Sequence, residues 1–408
     1  MKLLHIADLH MDRSFEGLPD LPEALAEKLR TANRQVLHQL VDAALTNQVD
    51  AVIFSGDTFH QSRTSIQTQA YFFEELQRLA SEEIHVIISF GNHDYFDPER
   101  YWFNFPENVY LFEKEEVETH YFITKQNERV AVSGFSYLQP WIEESKLPEY
   151  PARSADSDIH IGVYHGDVSM GDQSRYAPFS LGEMKAFGYD YWALGHIHQP
   201  QILSADPLIV YPGTPQGHTK KEQGIQGAGL VTLGDHHAAT QFISVEEVRW
   251  EYSEYSLADC QTKKEALAYL EAELLRQAHQ YNTFILNEIQ LNDTHQLGEE
   301  FVMSCENGEI LAYLQQALAN QVQNLFVFQL SVKESSAFQK ILVTADPRLL
   351  DQLEKNYLQP EIFMEATKEL QQHPVISHLG LTDEAWRKNC VKLADQRIKE
   401  RFRIQEDQ

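Results

Sequence analysis

Cysteine is scarce: the 408 residues hold three, Cys260, Cys305 and Cys390, far apart and without a C-x-x-C pair. Neither a disulfide framework nor a thiolate zinc site is indicated, and a reducing compartment, the cytoplasm, is expected. Long apolar runs are missing too. No uninterrupted stretch approaches the roughly 18 residues of a membrane span. The opening Met-Lys-Leu-Leu-His-Ile-Ala-Asp is broken by His5 and Asp8 too early for a secretory signal, so no membrane association is expected. Positive charge is also short, with 33 Lys and Arg against 61 Asp and Glu and a formal net charge of −28. A chain of that sign does not hold a polyanion by its overall field. A nucleic-acid substrate would need a local reversal by bound cations, a small basic patch or a partner subunit.

What the chain does have is an ordinary globular balance, 43% hydrophobic and 23% charged, which argues against disorder and fibrous classes. Its length suits two or three domains. Over residues 1–245, short β-branched runs alternate with amphipathic segments, the pattern of a layered α/β domain. Strands are expected at 2–7, 51–55, 86–90, 130–135, 160–164, 191–194 and 229–233, and helices at 22–46 and 65–79. Ser180 and Glu183 form a capping box for a short helix that Gly188 closes. Residues 246–345 read as a smaller α/β domain, with helices at 263–280 and 309–319 and strands at 283–291 and 324–332. Residues 346–408 read as a helical region. It ends in a basic helix at 383–404 that places Trp386, Cys390, Leu393, Ala394 and Ile398 on one face. That helix either packs on its own domain or docks on a partner.

Five short stretches place metal-binding side chains at or just past the ends of expected strands, where layered α/β folds gather their functional loops. They are Asp8-Leu-His10, Gly56-Asp57, Gly91-Asn92-His93-Asp94, His165-Gly166 and Gly195-His196-Ile-His198. Extended alternation would send Asp8 and His10, or His196 and His198, the same way. Glycines 56, 91 and 195 would let backbone and ligand approach closely. Taken singly, a D-x-H or H-x-H is more often a capped turn or a satisfied histidine, and Gly-Asp an ordinary turn. Together they supply a binuclear ligand set: Asp8, His10 and His198 for one ion, Asn92, His165 and His196 for the other, with Asp57 bridging. Mixed nitrogen and oxygen ligation suits Mn, Fe or Zn better than Ca or Mg. Two such ions serve phosphoester hydrolysis. His93 is then placed to assist the leaving oxygen, Asp94 to fix an imidazole tautomer, and His60 to touch the phosphate. Among the other histidines, His5, His38, His85, His120, His160 and the pair His236-His237 read as ordinary. Tyr95, Phe96, Tyr101, Trp102 and Phe103 either stack on bases or anchor their loop.

With these motifs, together with Gly56-Asp57-Thr-Phe-His60, Tyr164-His165-Gly166, Tyr176-Ala-Pro-Phe-Ser180 and Tyr211-Pro-Gly-Thr-Pro215, the chain resembles the calcineurin-like metallophosphoesterases, and among them the SbcD/YhaO-like DNA-repair exonuclease branch. The resemblance covers roughly residues 1–245. It implies a layered β-sandwich flanked by helices, a smaller α/β capping domain and a helical C-terminal tail. It also implies that Asp8, His10, Asp57 and His198 hold one ion, that Asp57, Asn92, His165 and His196 hold a second, and that His93 assists catalysis with His60 nearby. Two divalent ions, Mn foremost, are the implied cofactors. The implied activity is DNA exonuclease cleavage in repair, and the implied partners are DNA and an SbcC-like coiled-coil ABC-type ATPase, with a homodimer as one arrangement open to the chain. Two other readings stand beside it: a phosphatase or phosphodiesterase for small molecules or phosphoproteins, mildly favoured by the negative charge, and a non-catalytic scaffold of an ATPase complex.

Overall fold

The computed structural model describes residues 1–408 apart from 20, 62, 169–173, 225–226, 235–236, 334–351, 353–354, 369–383 and 403–408. The described residues form two compact units, Met1–Val332 and Lys333–Gln408.

In the first unit, β1 (Lys2–Ile6), β2 (Ala51–Ser55), β3 (His85–Ser89) and β4 (Val109–Leu111) run parallel. Antiparallel β11 (Gly227–Gly234) and β12 (His237–Ser244) complete a six-stranded sheet beside β1. A second six-stranded sheet contains β5 (Glu118–Ile123), β6 (Arg129–Gly134), β7 (Ile159–His165), β8 (Tyr191–Gly195), β9 (Gln201–Ala205) and β10 (Leu208–Tyr211), in the order β5-β6-β7-β8-β10-β9. Its strands β6, β7, β8 and β10 are parallel.

The pleat explains the layers. Leu3, Ala51, Ile53 and Ile87 point inward and meet Val130, Val132, Ile161, Val163 and Ala193 of the second sheet. Their neighbours Leu4, Ile6, Val52, Phe54, Val86 and Ile88 point outward onto the apolar stripes of α1 (Glu23–Thr46) and α2 (Ile66–Ser81), among them Val36, Leu40, Phe72 and Leu76. Each such buried aliphatic or aromatic side chain contributes roughly 1.5–3 kcal/mol. The outer face of the second sheet buries Tyr164, Trp192 and Leu194 with Met184 of α3 (Leu181–Ala186), whose cap is the Ser180 hydroxyl, accepting from the Glu183 N–H at 3.4 Å. The α/β sandwich expected from the sequence is the fold observed. The strands it did not predict, β4, β5, β9, β10 and β12 here and Val248–Ser256 further on, are short or lie at sheet edges, where pairing on one side leaves little apolar alternation.

Residue 245 falls in the link between β12 and β13 (Val248–Ser256). Strand β13 opens a three-stranded parallel sheet with β14 (Phe284–Asn292) and β15 (Leu325–Val332). One face buries against α4 (Lys263–Gln280), α5 (Glu299–Glu306) and α6 (Glu309–Ala319). The other face, with Trp250, Leu286 and Phe328, packs on Leu25, Leu29 and Ala32 of α1. In the second unit, helices Pro360–Ala366 and Glu384–Phe402 bring Phe363 edge-on to Trp386. There Leu393, expected on the apolar face, is 61% exposed, while Val391, outside that face, is buried; the side chain of Ile398 lies outside the described residues. No described helix is long and apolar enough to cross a membrane.

Candidate metal centre

Because β1, β2 and β3 are parallel, as are β7 and β8, all five motifs follow the carboxyl ends of their strands. Strand alternation is not what aims them. Strand β1 ends at Ile6, and beyond it Asp8 and His10 take left-handed conformations, φ 50° and 45°, as do Asp57 at 53° and His196 at 105°. Such backbone costs free energy for a non-glycine residue and persists where its surroundings hold it. Here the Asp8 N–H donates to the Gly56 carbonyl at 3.1 Å and the His10 N–H to the Asp57 carbonyl at 3.0 Å.

The structure brings Asp8, His10 and His198 together with ligand atoms within 4.8 Å of one another, and likewise Asp8, Asp57 and His165, so Asp8 belongs to both groups. Asn92 presents its Oδ1 to His165 Nε2 at 3.1 Å. His196 parts from His198. Its ring leans on His165, centroids 5.4 Å apart, and on Tyr176 at 4.6 Å, while its backbone N–H donates to the Asp8 carboxylate. The close approach needs glycine: a Cβ on Gly91 would stand 2.2 Å from Asp57 Oδ1, and one on Gly56, whose φ is 95°, 2.2 Å from His165 Nδ1.

Hydrogen bonds to the far ring nitrogens fix which atoms face the cleft. His165 Nδ1 lies 2.9 Å from the Ser55 carbonyl, which only accepts, so Nδ1 carries a proton and Nε2 is the ring atom turned toward Asn92 Oδ1 and, at 3.4 Å, Asp57 Oδ2, where a cation or a second proton stands between them. His198 Nδ1 is held by the Glu222 carboxylate, leaving Nε2 directed at His10 Nε2, 3.3 Å away. Lone pairs and carboxylate oxygens gathered in a dry pocket repel unless a cation lies among them. Two imidazole nitrogens about 2.05 Å from one tetrahedral ion stand roughly 3.3 Å apart, so the His10–His198 spacing suits a shared ion. The donor set fits divalent transition metals. The pKa pattern agrees. Burial pushes Asp8 up to about 6 against the pull of His198 and His165. Burial lowers His165 in turn, but Asp57, Asp8 and the Ser55 carbonyl outweigh it and raise the imidazole to about 9. Burial raises Asp57 as well, yet the surrounding His165, His10 and His93 hold it well below the usual carboxylate range.

The other three expected residues lie around this cluster. His93 donates its backbone N–H to Asp57 Oδ1 at 3.0 Å and its Nδ1–H to the His60 carbonyl at 3.2 Å. The His60 and His93 rings stack at 4.6 Å, and the two rings each stand 5.1 Å from His10. Asp94 has a different partner from the imidazole expected: its buried carboxylate accepts from the backbone N–H groups of Gly91, Asp57, Thr58 and Phe59 at 2.7–3.3 Å, tying two ligand loops together. The carboxylate that meets an imidazole is instead that of Glu222, at His198 Nδ1, which the sequence did not mark. An acid after two lysines in a polar loop reads as solvated charge, and no spacing singled it out. Of the loop aromatics, Phe96 and Tyr101 pack against the core while Trp102 is 67% exposed.

A family model of calcineurin-like phosphoesterases matches residues 1–200. The chain is 27% identical over 408 residues to an uncharacterized metallophosphoesterase, YhaO, of Bacillus subtilis, covering 98% of this chain and 95% of that one. It is 24% identical over 288 residues to the DNA double-strand break repair protein Mre11 of Methanopyrus kandleri, covering 65% of this chain and 58% of that protein. It is 26% identical over 271 residues to the SbcD component of the nuclease SbcCD of Bacillus subtilis, covering 58% of this chain and 66% of that protein. The fold, the gathered ligands and these likenesses agree: residues 1–200 form a calcineurin-like metallophosphoesterase domain, and the chain's relatives include YhaO, SbcD and Mre11, of the SbcD/Mre11-like nuclease branch.

Proposed function

We propose that this protein is a metal-dependent DNA exonuclease subunit that hydrolyses phosphodiester bonds with two divalent ions, Mn in preference to Fe or Zn. It would act in cytoplasmic DNA repair beside an SbcC-like coiled-coil ABC-type ATPase. The observation that carries this reading is the buried convergence of Asp8, His10 and His198 with Asp57 and His165. Names of relatives, a break-repair protein and a nuclease component, support the substrate class.

Asp8, His10 and His198 would hold one ion, and Asn92, His165 and His196 the other, with Asp57 between them. Once bound, the ions supply Lewis acidity toward the phosphoryl oxygens and make water nucleophilic near neutral pH. The chain's own groups do the rest. With Nδ1–H given to the His60 carbonyl, Nε2 is the His93 atom that would take up a proton from water and hand it to the leaving oxygen. His60, stacked on His93 and with a buried Nδ1 that has no hydrogen-bond partner, is placed to meet a phosphate oxygen. Asp94 keeps the Asp57 and Asn92 loops in register through its backbone bonds. With a net charge of −28, the ATPase rather than this chain would supply the cationic groove for DNA, and the basic helix Glu384–Phe402 is the proposed docking segment.

The test is cleavage of end-labelled linear DNA in Mn²⁺, with and without the ATPase, beside an aryl phosphodiester and an aryl phosphate monoester. DNA and diester hydrolysis that EDTA abolishes is expected. Absence of Mn-dependent cleavage under both conditions would overturn the reading. Monoester turnover far above diester turnover would favour a small-molecule or phosphoprotein phosphatase, the reading that the acidic charge supports.

A further inference from the structure

We infer that Glu222 is a positioning residue for the His198 ion, and that it is held in that role by a buried relay reaching back to the Asp8–His10 loop. The inference rests on the two-ion reading and extends it to residues outside the ligand set.

Glu222 is 7% exposed, and both of its oxygens are engaged. Oε1 takes His198 Nδ1–H at 2.5 Å and Arg13 Nη1–H at 3.1 Å. Oε2 accepts the backbone N–H groups of His218 and Thr219 at 2.8 and 2.9 Å, and the Thr219 hydroxyl at 3.2 Å. His218 in turn gives its Nε2–H to Asn33 Oδ1 at 2.9 Å. The Asn33 amide then donates to the carbonyls of His10, Met11 and Arg13 at 3.0–3.3 Å. Asn33 lies on α1 and is 5% exposed. One closed set of hydrogen bonds therefore joins the loop carrying Asp8 and His10 to the loop carrying Glu222, and through Glu222 to the ring of His198.

The arrangement has a definite chemical consequence. His198 is the most solvent-exposed ring of its group, its side chain at 28% against 1% for His10 and 0% for Asp8. Without a partner at Nδ1 the ring would be free to rotate or change tautomer. A buried carboxylate at that nitrogen fixes the ring's orientation and makes Nδ1 the protonated atom of the neutral ring, so that Nε2 is the atom aimed at a metal and a better donor to it, the arrangement in which loss of the outer partner costs about 10–100-fold in affinity. Arg13 and the two N–H groups keep the carboxylate ionised in turn. Nothing comparable is needed at His165, whose Nδ1 is held by the Ser55 backbone.

The experiment is calorimetric titration of metal-free protein with MnCl₂, with thermal melts in EDTA, for wild type, Glu222→Ala, the isosteric Glu222→Gln, and Asn92→Ala as a control for the other ion. Two binding classes are expected in wild type. In Glu222→Ala one class weakens 10–100-fold, in Glu222→Gln by less because the amide oxygen still accepts from Nδ1–H, and the other class is unchanged. Asn92→Ala weakens the class that Glu222→Ala spares. Saturating Mn²⁺ restores kcat to Glu222→Gln. Wild-type-like Mn isotherms in both Glu222 variants, whether or not their melting temperatures drop, would overturn the inference and leave the two-ion reading standing. A wild type lacking two classes would overturn both.

Discussion

His165 spends its Nδ1 proton on the carbonyl of Ser55, 2.9 Å away, and so turns Nε2 toward Asn92 and Asp57. The same serine reaches back into the sandwich. Its hydroxyl lies 2.8 Å from His5 Nε2, and His5 Nδ1 lies 2.7 Å from the Tyr191 hydroxyl. The end of β2 therefore connects the core to the centre, and substitutions on either side report on different parts of one structure.

Asp57 should matter to both ions and Asn92 to one. Asp57→Ala is expected to leave the purified protein with little bound Mn and no detectable phosphodiesterase turnover, and Asn92→Ala with about half the metal of wild type. Asp8, assigned with His10 and His198 to one ion although its carboxylate also lies near Asp57 and His165, should behave like Asn92 rather than like Asp57. Elemental analysis after exhaustive dialysis and Mn loading is the measurement.

Gly91→Ala should disable the centre without touching a ligand. The new methyl would overlap Asp57 Oδ1 at 2.2 Å and His165 Nε2 at 2.7 Å, so the carboxylate has to move. Metal content should fall as in Asp57→Ala, with a secondary structure spectrum like that of wild type. Full metal content in Gly91→Ala would show that the packing around Asp57 is looser than these distances require.

His93→Gln should retain both ions and lose rate. With proton delivery to the leaving oxygen removed, kcat should fall by about 10²–10⁴, while KM and Mn stoichiometry stay close to wild type. The loss should shrink for a substrate whose leaving group is a nitrophenolate, because that oxygen needs no proton. An undiminished rate on DNA would remove His93 from the chemistry.

His5 gives a pH signature to the metal-free protein. Burial lowers its pKa to about 3, against the bond to the Leu194 backbone. An unfolded imidazole titrates near about 6.5. Between those values the unfolded chain binds the extra proton, so this contribution to stability is present above about pH 6.5 and is lost as pH falls toward 3. In EDTA, His5→Gln should lower stability at pH 7 but flatten its decline from pH 6 to 4, by up to about 1.4 kcal/mol per pH unit. Parallel profiles for the two proteins would place the titration elsewhere.

How much of this was legible in the sequence depended on the kind of signal. The central strands β1, β2, β3, β7 and β8 are apolar on both faces, and the helices over 23–46 and 263–280 have strong periodicity; both kinds of pattern survive in a single sequence. The ligand residues were visible as types in order, but not the means of their convergence. Left-handed backbone aims Asp8, His10 and His196, where alternation is the expectation for D-x-H and H-x-H, and nothing in the residue types distinguishes the two. Glu222 and Asn33 were invisible because their role arises from contacts across 24 and 23 residues, Glu222 to His198 and Asn33 to His10. Asp94 was visible as an acid beside a ligand, and its partners proved to be backbone groups that no sequence pattern displays.

The most direct test is a Mn-loaded crystal measured on both sides of the Mn absorption edge. Two anomalous peaks are expected, about 3.5–4 Å apart, one against His10 and His198 and the other against Asn92 and His165, with Asp57 touching both. A loaded, well-ordered pocket with no peak, or with one peak away from these side chains, would contradict the binuclear centre from which the proposed hydrolysis follows.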